Sequence, residues 1–209
     1  MKECIFIERI FCREMEKSAP GEYHFSESTM GNLLRTGTSS RYLPLHLEGI
    51  VTRYYSNGEV RSKSLYRDNQ LLSNENWLSD GSKYIDSIFY SADKEPEYQM
   101  GDNFFKSFII QKLADSKLDL TQIEDEVVIG WVVLETGKID GAIALQGKSG
   151  QLNELLVNTI SELPGYWIPA ELNGKKVRYF MSIPLNFIQR GVSFQDIELS
   201  SVMLNYSRY

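Results

Sequence analysis

A chain of 209 residues with 42% hydrophobic and 24% charged residues has the composition of a folded globular protein, and its length suits one large domain or two small ones. A net charge of −6 and a pI near 5.1, without any cluster of Lys and Arg, exclude a protein whose main task is coating nucleic acid or holding an anionic membrane surface. No run approaches the roughly 18 apolar residues of a transmembrane helix, so direct membrane insertion is not expected. Met1 to Cys12 contains an early acid and no uninterrupted apolar stretch of the roughly 7–15 residues a signal peptide needs. An export signal is not expected there, which leaves open a cytoplasmic chain or one that follows a removed leader. The spacing of Cys4 and Cys12 suits two inward-facing thiols on one strand, where they cannot reach each other. Their apolar neighbours favour buried free thiols, with a bridge across a hairpin as the alternative.

From Glu22 to about Asp93 short alternating stretches are punctuated by Gly, Asn and Asp, the pattern of successive β-hairpins. The clearest runs from Leu47 to Tyr66 about Asn57-Gly58, expected as a two-residue turn at positive φ. The order aromatic, Ser-Asp-Gly, basic returns as Trp77, Ser79-Asp80-Gly81 and Lys83, and a worn earlier copy is read at Met30 to Gly37. A period of a little over twenty residues predicts stacked hairpins that share an apolar face. Tyr54-Tyr55-Ser56-Asn57-Gly58 and Trp77-Leu78-Ser79-Asp80-Gly81 resemble the aromatic, aromatic, x, Asn/Asp, Gly core of MORN-type repeats, as in YwqK-like proteins.

Tyr90 to Gly101 is polar, contains Pro96 and reads as a junction between a hairpin region (1–95) and a second domain (101–189). Phe104, Phe105, Phe108, Ile109 and Leu113 then recur at helical spacing behind Asp102 or Asn103 as N-cap. Glu126 to Leu134 predicts a central strand, Thr136-Gly137-Lys138 a turn, and Lys138 to Leu145 its partner strand. Leu152, Leu155, Leu156, Thr159, Ile160 and Leu163 mark a second amphipathic helix stopped by Pro164-Gly165. After an Asn173-Gly174 turn, Lys176 to Phe187 predicts a long strand in which Pro184 requires an edge or a bulge. The tail, 190–209, is open to one more strand.

This order, with Ile129-Gly130-Trp131-Val132-Val133, Gly137-Lys138-Ile139, Leu163-Pro164-Gly165-Tyr166-Trp167-Ile168-Pro169-Ala170, Asn173-Gly174-Lys175-Lys176-Val177 and Ile183-Pro184-Leu185-Asn186-Phe187, resembles the C-terminal domain of TonB-type energy transducers. It departs in its first helix, which lacks the family's Tyr-Pro segment. The resemblance implies an α+β fold with two helices packed on a three-stranded antiparallel sheet, behind the antiparallel hairpin-repeat sheet. It implies a non-enzymatic protein-binding module of the bacterial envelope or periplasm, associated with transport, that captures a peptide of an outer-membrane transporter by strand addition. The residues implied are Lys176, Val177, Arg178, Tyr179, Phe180, Met181, Ser182 and Ile183, and the same edge could join two copies of the chain. A YwqK-like antitoxin-type protein, binding a toxin in the cytoplasm through its repeat face, is the alternative.

Other constellations point away from catalysis and from bound metal or cofactor. His24 and His46 stand in different hairpins without a Cys or His at ligand spacing and read as solvent-facing or turn-stabilising. Glu124-Asp125-Glu126 reads as a solvated approach to a strand, and Gly147-Lys148-Ser149-Gly150 as a helix cap by Ser149 in place of a phosphate loop. Trp77, Trp131 and Trp167 read as packing residues.

Overall fold

The computed structural model describes residues 2–7, 11–120, 123–188 and 191–194, of which 2–7, 188 and 191–194 are described by their backbone. The chain is mixed α+β and divides into two units, one running to Ser87 and the other beginning at Ile88.

The first unit is one antiparallel meander of seven strands in sequence order: β1 (Lys2–Ile7), β2 (Phe11–Ala19), β3 (Glu22–Thr29), β4 (Asn32–Ser39), β5 (Leu47–Tyr54), β6 (Val60–Arg67) and β7 (Gln70–Asn76). The hairpin array therefore begins well before Glu22. Met30-Gly31 and Asp68-Asn69 form two-residue turns whose residues all have positive φ, the geometry that matches strand twist. Asn57-Gly58 does not. Tyr54 pairs with Val60, and the link is closed by Tyr55 N–H to Glu59 O at 2.8 Å and Gly58 N–H to Tyr55 O at 2.9 Å. The Asn57 side chain accepts from Glu59 N–H at 3.0 Å, so the turn is wider than the expected two residues. The same bonds recur in Leu78 N–H to Ser82 O, Gly81 N–H to Leu78 O and Ser82 N–H to Asp80 Oδ1. The two turns are structural equivalents and are stacked, with Asn57 Nδ2 donating to Ser79 O at 2.9 Å and Tyr55 Oη to Trp77 O at 2.8 Å.

Cys4 and Cys12 lie on neighbouring antiparallel strands, Cys4 opposite Glu14 and Phe6 opposite Cys12. Cys12 is disulfide-bonded. This corrects the expectation of free thiols on one strand, because the chain reverses between them.

The second unit is built on β10 (Asp125–Val133), whose residues Val127 to Val133 are all buried. It pairs with β11 (Ile139–Gln146) on one side and with β14 (Lys175–Ile188) on the other, the central position its apolar alternation predicts. On its far side β14 meets β13 (Ala170–Leu172), the short parallel strand β8 (Ile88–Phe89) and β15 (Gly191–Phe194). A separate ribbon joins β9 (Glu97–Tyr98) to β12 (Trp167–Ile168). The Tyr90 to Gly101 segment, read from sequence as a junction, thus supplies β9 to this unit, and β8 immediately precedes it. Residues 195–209, the remainder of the tail, fall outside the described residues.

Helix α1 (Asp102–Asp115) buries Phe105, Ile109 and Leu113 and leaves Phe104 partly exposed. Its N-cap is Gly101, with no side-chain cap bond, where Asp102 or Asn103 was expected; Asp102 is the first helical residue, its charge favourable in the first turn. Helix α2 (Gly150–Ser161) is capped as expected, Ser149 Oγ accepting from Leu152 N–H at 3.3 Å. Both helices join one core with Val127, Ile129, Trp131, Val133, Tyr179, Met181, Ile183, Leu185 and Phe187, the alternate residues of β10 and β14.

Two pairs of glycines test these turns. Gly137 (φ +80) and Gly174 (φ +71) are both left-handed, but a Cβ at Gly137 would stand 2.2 Å from Trp167 O, whereas Gly174 has nothing within 4 Å. Gly174→Ala is expected to cost about 1 kcal/mol from backbone strain alone, and Gly137→Ala roughly 3 kcal/mol from strain plus overpacking, both read by urea denaturation. Equal losses would show that the Trp167 carbonyl moves aside. Gly58→Val and Gly81→Val, at equivalent turns, are each expected to cost about 1 kcal/mol or more; two near-neutral results would end the equivalence.

Candidate functional site

Strand β14 is paired on its outer side over only part of the stretch where the resemblance places its binding residues. Lys176 and Val177 pair with β13, Arg178 and Tyr179 with β8, and the opposite side of Tyr179 to Phe187 pairs with β10. Phe180, Met181, Ser182 and Ile183 have no second ladder partner among the described residues, but all four are buried. Arg178 and Tyr179 do point to opposite faces: Tyr179 lies in the helix-side core, and Arg178 Nε reaches Glu135 at 3.2 Å. The Tyr179 hydroxyl donates to Glu95 Oε1 at 3.0 Å, and burial followed by that carboxylate pushes its pKa far up. Its role is to fasten the 88–95 segment.

The hairpin sheet presents the more accessible surface. Alternation along its strands sends Met15, Phe25 and Val51 to one face as a small core, packed with Tyr23, Tyr42, Leu45, Leu47 and Tyr66. Gly37 lies opposite Phe25, and a Cβ there would come within 3.0 Å of the Phe25 ring and 2.9 Å of Val51. On the same face Glu27, 3% exposed, lies between two guanidinium groups. Arg13 Nε donates to Glu27 Oε1 at 2.7 Å, Arg35 Nη2 donates to Oε1 at 3.0 Å, and Arg35 Nε donates to Oε2. Burial tends to raise the Glu27 pKa, but Arg35 and then Arg13 outweigh it and hold the carboxyl below its usual value. Further along this face Ser62, Ser64, Asn74 and Asn76 are buried, with Asn76 Nδ2 donating to Asn74 Oδ1 at 2.6 Å.

The opposite, open face carries Glu14 and Glu16 on β2, His24 and Ser26 on β3, Thr36 and Thr38 on β4, Ile50 on β5 and Leu65 on β6. Most of these line a shallow groove of about 400 Å³ that runs from the two glutamates to Ile50. Ile50 and Leu65 are direct cross-strand partners and stand 59% and 40% exposed. Beyond them lies an aromatic end of mixed charge, where Lys83 Nζ sits 4.2 Å from the Trp77 ring centre and bridges Glu75 and Asp86 at 3.3 Å. The sequence pattern holds the signal for this face, since Ile50 and Leu65 sit on the polar parity of their strands, but only the register makes them partners.

The chain matches no family model, no characterised protein and no solved structure.

The buried carboxylate makes a pH prediction. Because the folded pKa of Glu27 lies below its unfolded value near 4.5, its contribution is complete above that value and is lost as pH falls through the folded pKa. Glu27→Gln leaves two guanidinium groups uncompensated and is expected to cost about 3 kcal/mol at pH 7, and to flatten the fall in stability below pH ~4.5. Urea titrations of both proteins across this range check it; parallel curves would refute it.

Proposed function

We propose that this chain is a non-catalytic protein-binding module of the bacterial envelope that takes its partner on the open face of the hairpin sheet. The observation that carries the reading is the exposed pair Ile50 and Leu65, set on a face whose reverse already holds the unit's core. Paired apolar groups in this position leave water only if another surface covers them. Glu14 and Glu16 at the far end of the groove favour a partner that lays an apolar side chain on the pair and a basic group beside the carboxylates.

Two features support an envelope setting. The disulfide at Cys12 suits an oxidising compartment. A TonB-like reading of 101–189 is supported by the order α1, β10, β11, α2, β14 and by the packing of both helices on one side of the sheet. Strand addition at β14, the mode that resemblance implies, has support from the lack of a second ladder partner at 180–183 among the described residues and stands against their burial. The antitoxin-type alternative would use the same open face in a reducing compartment.

A photo-crosslinking residue at position 50 is expected to trap one defined partner, identified by mass spectrometry and competed by unlabelled chain. Leu65→Lys should lower the yield at least tenfold, with the circular dichroism spectrum and melting midpoint unchanged. Crosslinking that is untouched by Leu65→Lys, or that is lost instead on Lys176→Glu, would sink the face-binding reading and favour β14.

A further inference from the structure

We propose that His46, Glu48 and Asp68 form a binding site for one divalent transition cation of the zinc kind, which ties the start of β5 to the β6–β7 turn. His46 immediately precedes β5, Glu48 is the second residue of that strand, and Asp68 opens the two-residue turn between β6 and β7. One ligand atom from each lies within 4.8 Å of the other two, and His46 Nδ1 stands 3.9 Å from Glu48 Oε1. Donors around a tetrahedral cation at about 2.1 Å are roughly 3.4 Å apart, so small side-chain rotations complete the set.

The frame beneath these groups is held without the ion. Asp68 N–H donates to Glu48 Oε1 at 2.9 Å, Leu47 N–H donates to Asn69 Oδ1 at 3.0 Å, and Asn69 N–H donates to Leu47 O at 3.0 Å. The Asp68 N–H occupies one lone pair of Glu48 Oε1 and leaves the second lone pair of that oxygen, the Oε2 atom and the Asp68 carboxylate for the cation. Ser40 Oγ lies 3.0 Å from His46 Nδ1 and 3.5 Å from His46 O, so the hydroxyl keeps an acceptor when the ring nitrogen takes the metal.

The donor set selects the class of ion. A neutral imidazole with two carboxylates carries two negative charges, which a dication balances. The nitrogen donor favours zinc, cobalt or nickel over calcium and magnesium, which prefer all-oxygen shells. Three protein ligands leave a fourth position for water or for a donor from another molecule. His46 and Glu48 are 25% and 37% exposed, so the ion has a path from solvent. Sequence spacing points His46 to a solvent-facing or turn-stabilising role, because Asp68 arrives from the neighbouring turn; pairing of β5, β6 and β7 is what brings the third ligand in. This site stands independently of the protein-binding reading.

Calorimetric titration of the whole chain with ZnCl₂ is expected to show one saturable site, and Co²⁺ to give the visible absorption of a four- or five-coordinate nitrogen and oxygen shell. His46→Ala and Asp68→Asn should each weaken binding at least tenfold. Asn tolerates the left-handed turn at position 68, so the second variant keeps the fold, which circular dichroism checks. His24→Ala, removing an imidazole that faces Glu22 at 3.7 Å, should leave the affinity unchanged. Failure to find saturable one-to-one binding, or an unchanged affinity in both His46→Ala and Asp68→Asn, overturns the proposal.

Discussion

The ring of Phe25 crosses β4 at the one position, Gly37, where no side chain blocks it. That contact sets the register of three strands together, since Val51 closes on the same spot from β5. A slip of one residue would bring His24 or Ser26 to the core side and place a side chain where the ring lies. With the register set, one row along, the Arg35 guanidinium falls 5.5 Å over the Phe25 ring and pairs with Glu27, joining the apolar row to the buried charged one. The same parity then decides what faces outward, including Ile50. The open face is thus a consequence of how the inner face packs.

The second unit depends on a comparable close approach. Trp167 N–H donates to Gly137 O at 2.8 Å while the Trp167 carbonyl occupies the space of a missing Cβ. This draws the segment after α2 onto the β10–β11 turn and seats Trp167 among Tyr98, Phe105 and Trp131, with ring centres 5.1 to 6.1 Å away. Tyr98 donates to Pro164 O, and Tyr179 holds Glu95, so the chain from Ile88 to Gly101 is bound along its length. Binding that segment is what adds β8 beside β14.

Much of this fold is legible in the sequence where one local pattern suffices. The 3.6-residue recurrence of Phe105, Ile109 and Leu113, the Ser149 cap, the continuous apolar run of β10 and the stacked turns at Gly58 and Gly81 all follow from nearest-neighbour chemistry. The parts not legible depend on distant partners. Nothing local marks Ile88-Phe89 as a strand, since a two-residue parallel pairing is decided by β14. Pro184 correctly signals a broken ladder, but it does not show that short strands fill the edge on either side of it. Asp68-Asn69 carries turn residues, yet its place beside Glu48 comes only from the pairing of β5, β6 and β7. The same holds for Cys4 and Cys12, whose spacing does not reveal the reversal between them.

Both sheets also protect stretches of their edges. Strand β7 is covered at its outer edge by the chain that follows it: Tyr84 N–H donates to Asn76 O and Ser87 N–H to Asn74 O, each at 2.9 Å, while Asp86 Oδ1 accepts from Asn76 N–H at 3.0 Å. Strand β14 is flanked by β13 and β8 before residues 180–184 and by β15 after them, and β11 carries exposed Asp140 and two register shifts against β10. Charges, bulges and short covering strands of this kind discourage the addition of a foreign strand. On the proposed reading, a partner that does not extend these covered stretches binds through what the side chains offer. On the hairpin sheet that is an apolar pair, a run of hydroxyls and two carboxylates, arranged across strands whose spacing the inner face holds constant.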